Sequence, residues 1–298
     1  MKRRSWHVVM IAALVGGAAS AEVFHVAADG SGDYPTIQAA VDAASSGDVV
    51  LLEDGVYRGE GNRDIDTLGK SLTIASRSGD PARVVMDCAS TAARPHRAFR
   101  LVGGSPVLEG ITMTNGGDSA WWAGGAVLID WCIPTITRCV FARNRALVGG
   151  AIAAGYCALS VSECTFYGNE ARPEYGGSAI WLDDWYWGPA QISHTIIAAG
   201  IGAPAITTWG TPVALQCCNI HGNAGGDYVG SIAGQLGVNG NICADPLFCD
   251  PENLDLSIAA DSPCAPGGEC GLMGALPVGC GPTPAEATTW GAIKGLYR

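Results

Sequence analysis

Short apolar runs separated by glycine, asparagine and cysteine recur along most of the chain at nearly regular intervals. Five six-residue segments share one pattern, with an apolar centre and asparagine or alanine at the sixth position. Their starts are spaced by 29, 25, 30 and 24 residues: they are 110–115, 139–144, 164–169, 194–199 and 218–223. Apolar runs this short, bounded by turn-forming residues, predict β-strands rather than helices.

Two further patterns repeat at the same period. A Gly-Gly-Ala-Val segment at 124–127 recurs in closely related form at 149–152 and 177–180. An aromatic residue followed by cysteine occurs at Trp131-Cys132 and again, 25 residues later, at Tyr156-Cys157. A repeat of this length without a helix-length apolar pattern predicts stacked coils of three short strands, since one coil cannot bury its apolar face alone.

The sequence therefore predicts an all-β fold, a right-handed parallel β-helix of about nine coils spanning residues 22–280. Asparagine tolerates left-handed turn geometry, and its side chains can form hydrogen-bonded ladders between stacked strands. We therefore expect a vertical ladder formed by Asn115, Asn144, Asn169 and Asn223. The coil that has Ala199 at this position would interrupt the ladder between Asn169 and Asn223.

The two ends of the chain differ from the repeats. Basic residues at 2–4, an apolar run at 8–19 and Ala19-Ser20-Ala21 predict a signal peptide over residues 1–21, hence a secreted protein. Residues 35–44 carry apolar side chains at helical spacing after a proline and predict an amphipathic helix that caps the first coil. Residues 281–298 are expected to form a linker and tail; the tail is either loose or a sorting or docking peptide.

The acidic net charge of the chain excludes some classes of binding partner. The net charge is −11, and removal of the signal peptide with its three basic residues makes the mature chain more acidic. Such a chain lacks the basic surface that nucleic-acid binding needs. It would repel polyanionic sugars unless a cation bridges them. We predict no membrane-spanning segment in the mature chain.

Several segments resemble known families. Residues 28–41, with Gly47-Asp48-Val49-Val50 and Gly55-Val56-Tyr57, resemble the start of pectin methylesterases and other pectin-lyase-like β-helices. The Gly-Gly-Ala and Phe-x-x-Asn repeats are similar to those of polymorphic outer-membrane proteins, a family of bacterial adhesins. Residues 245–275 are similar to the closing coil of secreted bacterial β-helix repeat proteins. These resemblances imply the fold, and residues 110–230 contain no match to the catalytic motifs of the esterases.

The 12 cysteines form two groups. Cys132 with Cys157, and Cys139 with Cys164, stand one coil apart, which suits either disulfides or stacked buried thiols. The second group lies in Pro/Gly-rich loops, where disulfides are expected: Cys243, Cys249, Cys264, Cys270 and Cys280. With no C-x-x-C pair or paired histidines, the sequence predicts no metal site and no cofactor.

Two sets of side chains are candidates for function. Trp131, Tyr156 and Trp185 fall at similar positions of successive coils, and they form either a carbohydrate-binding strip or a structural stack. Asp130, Asp183 and Asp184 lie beside them. These aspartates are either solvated turn residues or a carboxylate pair for glycoside hydrolysis.

We predict from these features a secreted or cell-surface protein without catalytic activity. Its solenoid face would bind glycan or a protein partner. The alternatives are a polysaccharide-degrading enzyme, a lyase or a hydrolase, and a structural envelope protein. The fold is compatible with all three functions.

Overall fold

The computed structural model describes residues 20–117, 123–183 and 188–283. Its elements in chain order are β1 (Val23–Val26), α1 (Ile37–Ala43), β2 (Val49–Leu52), β3 (Gly55–Tyr57), β4 (Ile65–Asp66), β5 (Thr73–Ser76), β6 (Val84–Asp87), β7 (Phe99–Val102), β8 (Val107–Glu109), β9 (Thr112–Thr114), β10 (Val127–Asp130), β11 (Thr135–Thr137), β12 (Val140–Ala142), β13 (Arg145–Ala146), β14 (Ile152–Gly155), β15 (Ser160–Ser162), β16 (Thr165–Tyr167), β17 (Glu170–Ala171), β18 (Ile180–Leu182), β19 (Ala190–Ser193), β20 (Ile196–Ala198), β21 (Ile201–Gly202), β22 (Ile206–Thr208), β23 (Val213–Gln216), β24 (Asn219–His221), β25 (Phe248–Asp250), β26 (Asp255–Ala259) and β27 (Val278–Cys280). Two 3-10 helices span Gly230–Gln235 and Pro251–Asn253.

Strands β1 to β24 form a right-handed parallel β-helix of about seven turns, two fewer than the sequence predicts. The chain passes through three long parallel sheets in turn. Sheet I has the order β1-β2-β5-β8-β11-β15-β19-β23, sheet II β24-β20-β16-β12-β9-β6-β3, and sheet III β22-β18-β14-β10-β7-β4. A short sheet of β13, β17 and β21 lies between sheets II and III.

The inward side chains stack in columns. In sheet I the strand register aligns one aliphatic column: Val50, Ile74, Leu108, Ile136, Val161, Ile192 and Leu215. In sheet II, Phe141 lies over Phe166 with ring centroids 4.6 Å apart. These side chains are almost fully buried, and each such burial contributes roughly 1.5–3 kcal/mol to folding.

Helix α1 covers the N-terminal opening of the solenoid, as the sequence predicts. Thr36 caps it by accepting a hydrogen bond from the Ala39 N–H. Ile37, Ala40 and Val41 are buried against the first coils. At the other end of the helix, the Lys70 ammonium donates to the Val41 and Asp42 carbonyls.

The asparagine ladder lies at the corner between sheets II and III. Asn144, Asn169 and Asn223 are buried there. Each donates from its side-chain amide to a sheet II carbonyl of the preceding coil, at Met113, Phe141 and Ile197 respectively.

The expected places of Asn115 and Ala199 in the ladder are wrong by one residue. Ala142 pairs with Thr114, so Asn144 aligns with Gly116, and the Gly116 N–H donates to the Asn144 Oδ1. Asn115 is exposed and donates instead to Asp87. In the later coil the same position is Gly200, whose N–H donates to the Asn223 Oδ1.

Residues 243–283, the C-terminal segment, pack across the outer face of sheet II rather than adding a closing coil. Strands β25, β26 and β27 form a small sheet of their own. Leu256 and Leu276 pack on Val140 and Ala142, so sheet II is covered on its inner and outer faces. The Gly274 N–H donates to the His194 carbonyl, and the Ala275 N–H to the Thr165 Oγ1. Within the described part of the chain, no helix has the length and apolarity needed to cross a membrane.

Candidate functional site

The predicted aromatic and acidic residues meet at the corner where sheet III turns into sheet I, the aromatic corner. Strand pairing aligns Val102, Asp130, Gly155, Asp183 and Trp209 in one column. The next column contains Trp131 and Tyr156. Because parallel stacking places successive coils about 4.8 Å apart, side chains of different coils lie side by side here.

Trp131 and Tyr156 form a stacked pair. Their ring centroids are 4.2 Å apart and the ring planes differ by 9°. Both residues have positive φ, 54° and 48°, and this left-handed geometry turns the chain at the corner. Trp131 keeps 49% of its surface exposed. The equivalent residue in the preceding coil is Gly103, which has no side chain.

Trp209 is a corner residue that the sequence analysis missed. It follows β22 at the position equivalent to Asp183 and is 55% exposed. Its ring meets that of Trp181 edge-on, with centroids 5.6 Å apart and planes at 72°. No repeated motif surrounds Trp209 in the sequence, so only the strand register identifies its position.

Asp130 and Asp183 approach each other across Gly155. A Cβ at Gly155 would lie 3.9 Å from the Asp130 Oδ1 and 3.8 Å from the Asp183 Oδ2. Partial burial raises the pKa of the Asp130 carboxyl, with Arg100 opposing the shift. The structure thus brings together one partly desolvated carboxyl, Asp130, and a second one, Asp183, two coils away.

Asp184 and Trp185, the other two members predicted for this site, lie outside the described residues. The structure therefore gives no account of either residue, and their expected roles stay predictions.

A separate cleft of about 590 Å³ lies along the corner between sheets II and III, bounded by the loop at 90–92 and, from the C-terminal segment, by Glu252. Its cationic groups already have partners. The Arg143 guanidinium donates to the Pro251 and Glu252 carbonyls, and Arg145 forms an ion pair with Glu170 at 2.5 Å. The Arg143 contacts tie the C-terminal segment to the solenoid, and the ion pair joins two neighbouring coils.

The division of the cysteines into disulfide-bonded and free residues differs from the prediction. Cys217–Cys270 and Cys249–Cys280 are disulfides, and Cys217 was not among the expected partners. The stacked pairs are free thiols, as are Cys243 and Cys264. Cys139 and Cys164 are fully buried, and the Cys139 N–H points to the Cys164 sulfur at 3.4 Å. Burial raises the pKa of Cys132, Cys139 and Cys157 to about 12.

No protein-family model matches the chain, and no curated protein matches it. Among solved structures, a pectin methylesterase from carrot covers 75% of this chain and 88% of its own, with TM-score 0.36 and 15% identity. Pectate lyase Pel9A covers 88% of this chain and 98% of its own, with TM-score 0.33 and 14% identity. At these TM-scores the comparison carries no conclusion about the activity of this chain.

Proposed function

We propose that this is a secreted β-helix protein that binds polysaccharide along the aromatic corner. The observation that carries the proposal is the Trp131–Tyr156 stack, in which Trp131 is exposed and Tyr156 half-buried, with the exposed Trp209 further along the same corner. Trp131 and Trp209 expose large apolar surfaces on this one corner, and exposed apolar surface of this size marks binding sites.

The spacing of the rings suits an extended ligand. Tyr156 follows Trp131 by one coil, and Trp209 follows Tyr156 by two. At about 4.8 Å per coil, the corner from Trp131 to Trp209 is roughly 14 Å long. Because the faces of the Trp131 and Tyr156 rings cover each other in the stack, an oligosaccharide laid along the coil axis would contact the exposed ring edges of successive coils.

Charge selects the class of glycan. The chain has a net charge of −11, and Asp130 and Asp183 lie at the corner itself. A uronate-rich polymer would bring like charges together here, at a cost that salt only partly screens. The ligand class that fits is therefore a neutral polysaccharide. The two disulfides support the extracellular location that the N-terminal sequence predicts.

The test measures binding of the mature protein to a panel of neutral and acidic polysaccharides by calorimetry or affinity electrophoresis. Trp131→Ala and Trp209→Ala should each weaken binding about fivefold or more, as for aromatic anchors worth about 1 kcal/mol. Tyr175→Ala is the matched control, because Tyr175 is an aromatic residue, 43% exposed, outside the corner.

The melting temperature of each variant separates binding from folding. Loss of binding with an unchanged melting temperature supports the proposal. Unchanged affinity with a large fall in melting temperature would assign the rings to structural stacking instead. Failure of the wild-type protein to bind any polysaccharide in the panel would favour the structural envelope protein.

Catalysis at the same corner is the second candidate function, and the raised pKa of Asp130 favours it. A carboxyl whose pKa is raised is better suited to act as a general acid, with a second carboxylate as base. The distances to a Cβ at Gly155 keep the two oxygens less than about 8 Å apart, an upper limit compatible with the carboxyl separations of roughly 5–5.5 Å in retaining and 6.5–9.5 Å in inverting glycosidases. Assays for new reducing or unsaturated ends test this function. Asp130→Asn and Asp183→Asn should each abolish product formation without abolishing binding.

A further inference from the structure

Three potential metal ligands from one end of the solenoid converge on one point. They are His221, Asp227 and Cys243, and one ligand atom of each lies within 4.8 Å of the others. The Cys243 sulfur is 3.8 Å from the His221 Nδ1 and 3.5 Å from the Asp227 Oδ2. The cluster lies outside the aromatic corner and does not depend on the proposed function.

The fold places each ligand through backbone contacts. His221 ends β24. Ile242 bridges to Asn219 in parallel register, which brings Cys243 beside Ile220, the residue before His221, one coil later. The Asn219 side chain then holds the chain just beyond Cys243, since its amide donates to the Ala244 carbonyl and its oxygen accepts from the Ala244 N–H.

Asp227 is oriented by the ladder residue Asn223. Its Oδ1 accepts hydrogen bonds from the Asn223 backbone N–H, 2.9 Å, and from the Asn223 side-chain amide, 2.7 Å. Its Oδ2 faces Cys243 and also accepts from the Gly222 N–H at 3.2 Å. Hydrogen bonds of this kind fix the carboxylates that ligate metals, because they leave one oxygen directed at the ion.

We propose that His221, Asp227 and Cys243 form a zinc-binding site. Ideal tetrahedral coordination with Zn–S of about 2.3 Å and Zn–N or Zn–O of about 2.1 Å separates neighbouring ligand atoms by about 3.6 Å. The observed sulfur-to-nitrogen and sulfur-to-oxygen distances of 3.8 Å and 3.5 Å are close to this value.

The donor set selects the class of metal. A thiolate with an imidazole suits zinc and other borderline or soft ions, whereas calcium and magnesium prefer oxygen ligands throughout. Binding replaces the S–H bond of Cys243 by a sulfur–zinc bond, and the proton leaves to the buffer. The imidazole of His221 binds in its neutral form.

Three protein ligands leave a fourth tetrahedral position open, as in catalytic rather than structural zinc sites. His221 also lines a cleft of about 350 Å³ beneath the C-terminal segment, together with Tyr167, Asp245 and Phe248. A small ligand in this cleft, with an oxygen or nitrogen donor, would reach the vicinity of the metal.

The test uses the mature chain, freed of metal by a chelator and kept without thiol reductant so that the disulfides persist. Titration with Zn²⁺ against a competing chromophoric chelator should show one ion bound per chain. Co²⁺ at the same site should give thiolate-to-cobalt charge-transfer absorption in the near ultraviolet. Zn²⁺ should also protect Cys243 from a thiol reagent.

The variants Cys243→Ser and His221→Gln should weaken Zn²⁺ binding about 100-fold or more, since even outer-shell changes weaken metal sites 10- to 100-fold. Cys243→Ser should also abolish the charge-transfer band. His194→Gln is the matched control, because His194 is a neighbouring histidine outside the cluster, and it should leave binding unchanged. An absent charge-transfer band in the wild-type protein, or equal Zn²⁺ affinity in Cys243→Ser, would overturn the proposal.

Discussion

The side-chain oxygen of Asn169 accepts two hydrogen bonds from Asn144 in the preceding coil, one from its backbone N–H and one from its side-chain amide, each 3.0 Å long. Both residues are buried. The pair thus satisfies polar groups at a corner where neither water nor a sheet partner is available, and an unsatisfied group there would cost about 1–3 kcal/mol.

Asn169→Ala should therefore destabilise the protein strongly, by about 2 kcal/mol or more, because the Asn144 N–H loses its acceptor. Chemical denaturation monitored by circular dichroism measures this change. Asn115→Gly is the control, because Asn115 is exposed and outside the ladder and glycine accepts its φ of 55°; its effect should be clearly smaller, about 0.5 kcal/mol. Equal effects of the two substitutions would contradict the register described above.

Gly200 and Ala199 offer an independent test of the same register. A Cβ at Gly200 would lie 2.3 Å from the Ser178 Oγ and 2.5 Å from the Asn223 Oδ1, so Gly200→Ala should lower the melting temperature. Ala199 has φ of 55°, a conformation that costs a residue with a Cβ roughly 1 kcal/mol. Ala199→Gly should raise the melting temperature. A higher melting temperature for Gly200→Ala together with a lower one for Ala199→Gly would show that Ala199, and not Gly200, occupies the ladder position.

Thiol reactivity should follow burial. Of the eight free cysteines, Cys243 is exposed and the other seven are buried. In the metal-free native protein a thiol reagent should therefore modify one residue rapidly, and peptide mapping should identify it as Cys243. After denaturation without reductant the count should rise to eight. A denatured count near zero would show that the stacked cysteines are oxidised.

Two aspartates should affect stability with opposite dependence on pH. Burial raises the pKa of Asp130, so its ionisation costs stability as the pH rises through that pKa. Asp130→Asn should raise the melting temperature at pH 7, and the gain should vanish in acid, where the wild-type carboxyl is protonated.

Asp48 is the converse case. Hydrogen bonds from the Glu22 and Ser45 N–H groups lower its pKa, so its contribution is present at neutral pH and is lost as the pH falls through that pKa. Asp48→Asn should lower the melting temperature at pH 7, with the difference shrinking in acid. Melting curves at several pH values for the two variants check both signs.

The repeats predicted the solenoid because one coil repeats the chemistry of the next. Phe141 and Phe166, or Asn144 and Asn169, occupy the same positions of successive segments, and the strand register confirms their stacking. The register could not be predicted where a coil has one extra residue. His194 is two positions before Ile196 in β20, whereas Cys164 is one position before Thr165 in β16, and this difference moved the ladder from Ala199 to Gly200.

The candidate sites were less predictable, because they join residues that no motif connects. Trp209 reaches the aromatic corner through pairing of Thr208 with Leu182. The disulfide between Cys217 and Cys270 joins residues that are 53 positions apart in the sequence. It lies beside Gly240, where a Cβ would be only 2.3 Å from the Cys270 sulfur. The path of the C-terminal segment sets that pairing, and its loops carry no periodic pattern from which that path could be inferred.

The path of the C-terminal segment changes how the protein is expected to unfold. A solenoid whose coils touch only their neighbours can fray from one end, coil by coil. Here Ala275 is bonded to Thr165, 110 residues earlier, and Glu252 is held by Arg143, 109 residues earlier. The middle coils cannot open while these cross-ties hold, and the last coils cannot fray without releasing them. Unfolding is thereby coupled from the middle coils to the C-terminal end of the solenoid, and this part of a modular array gains the cooperativity of a globular domain.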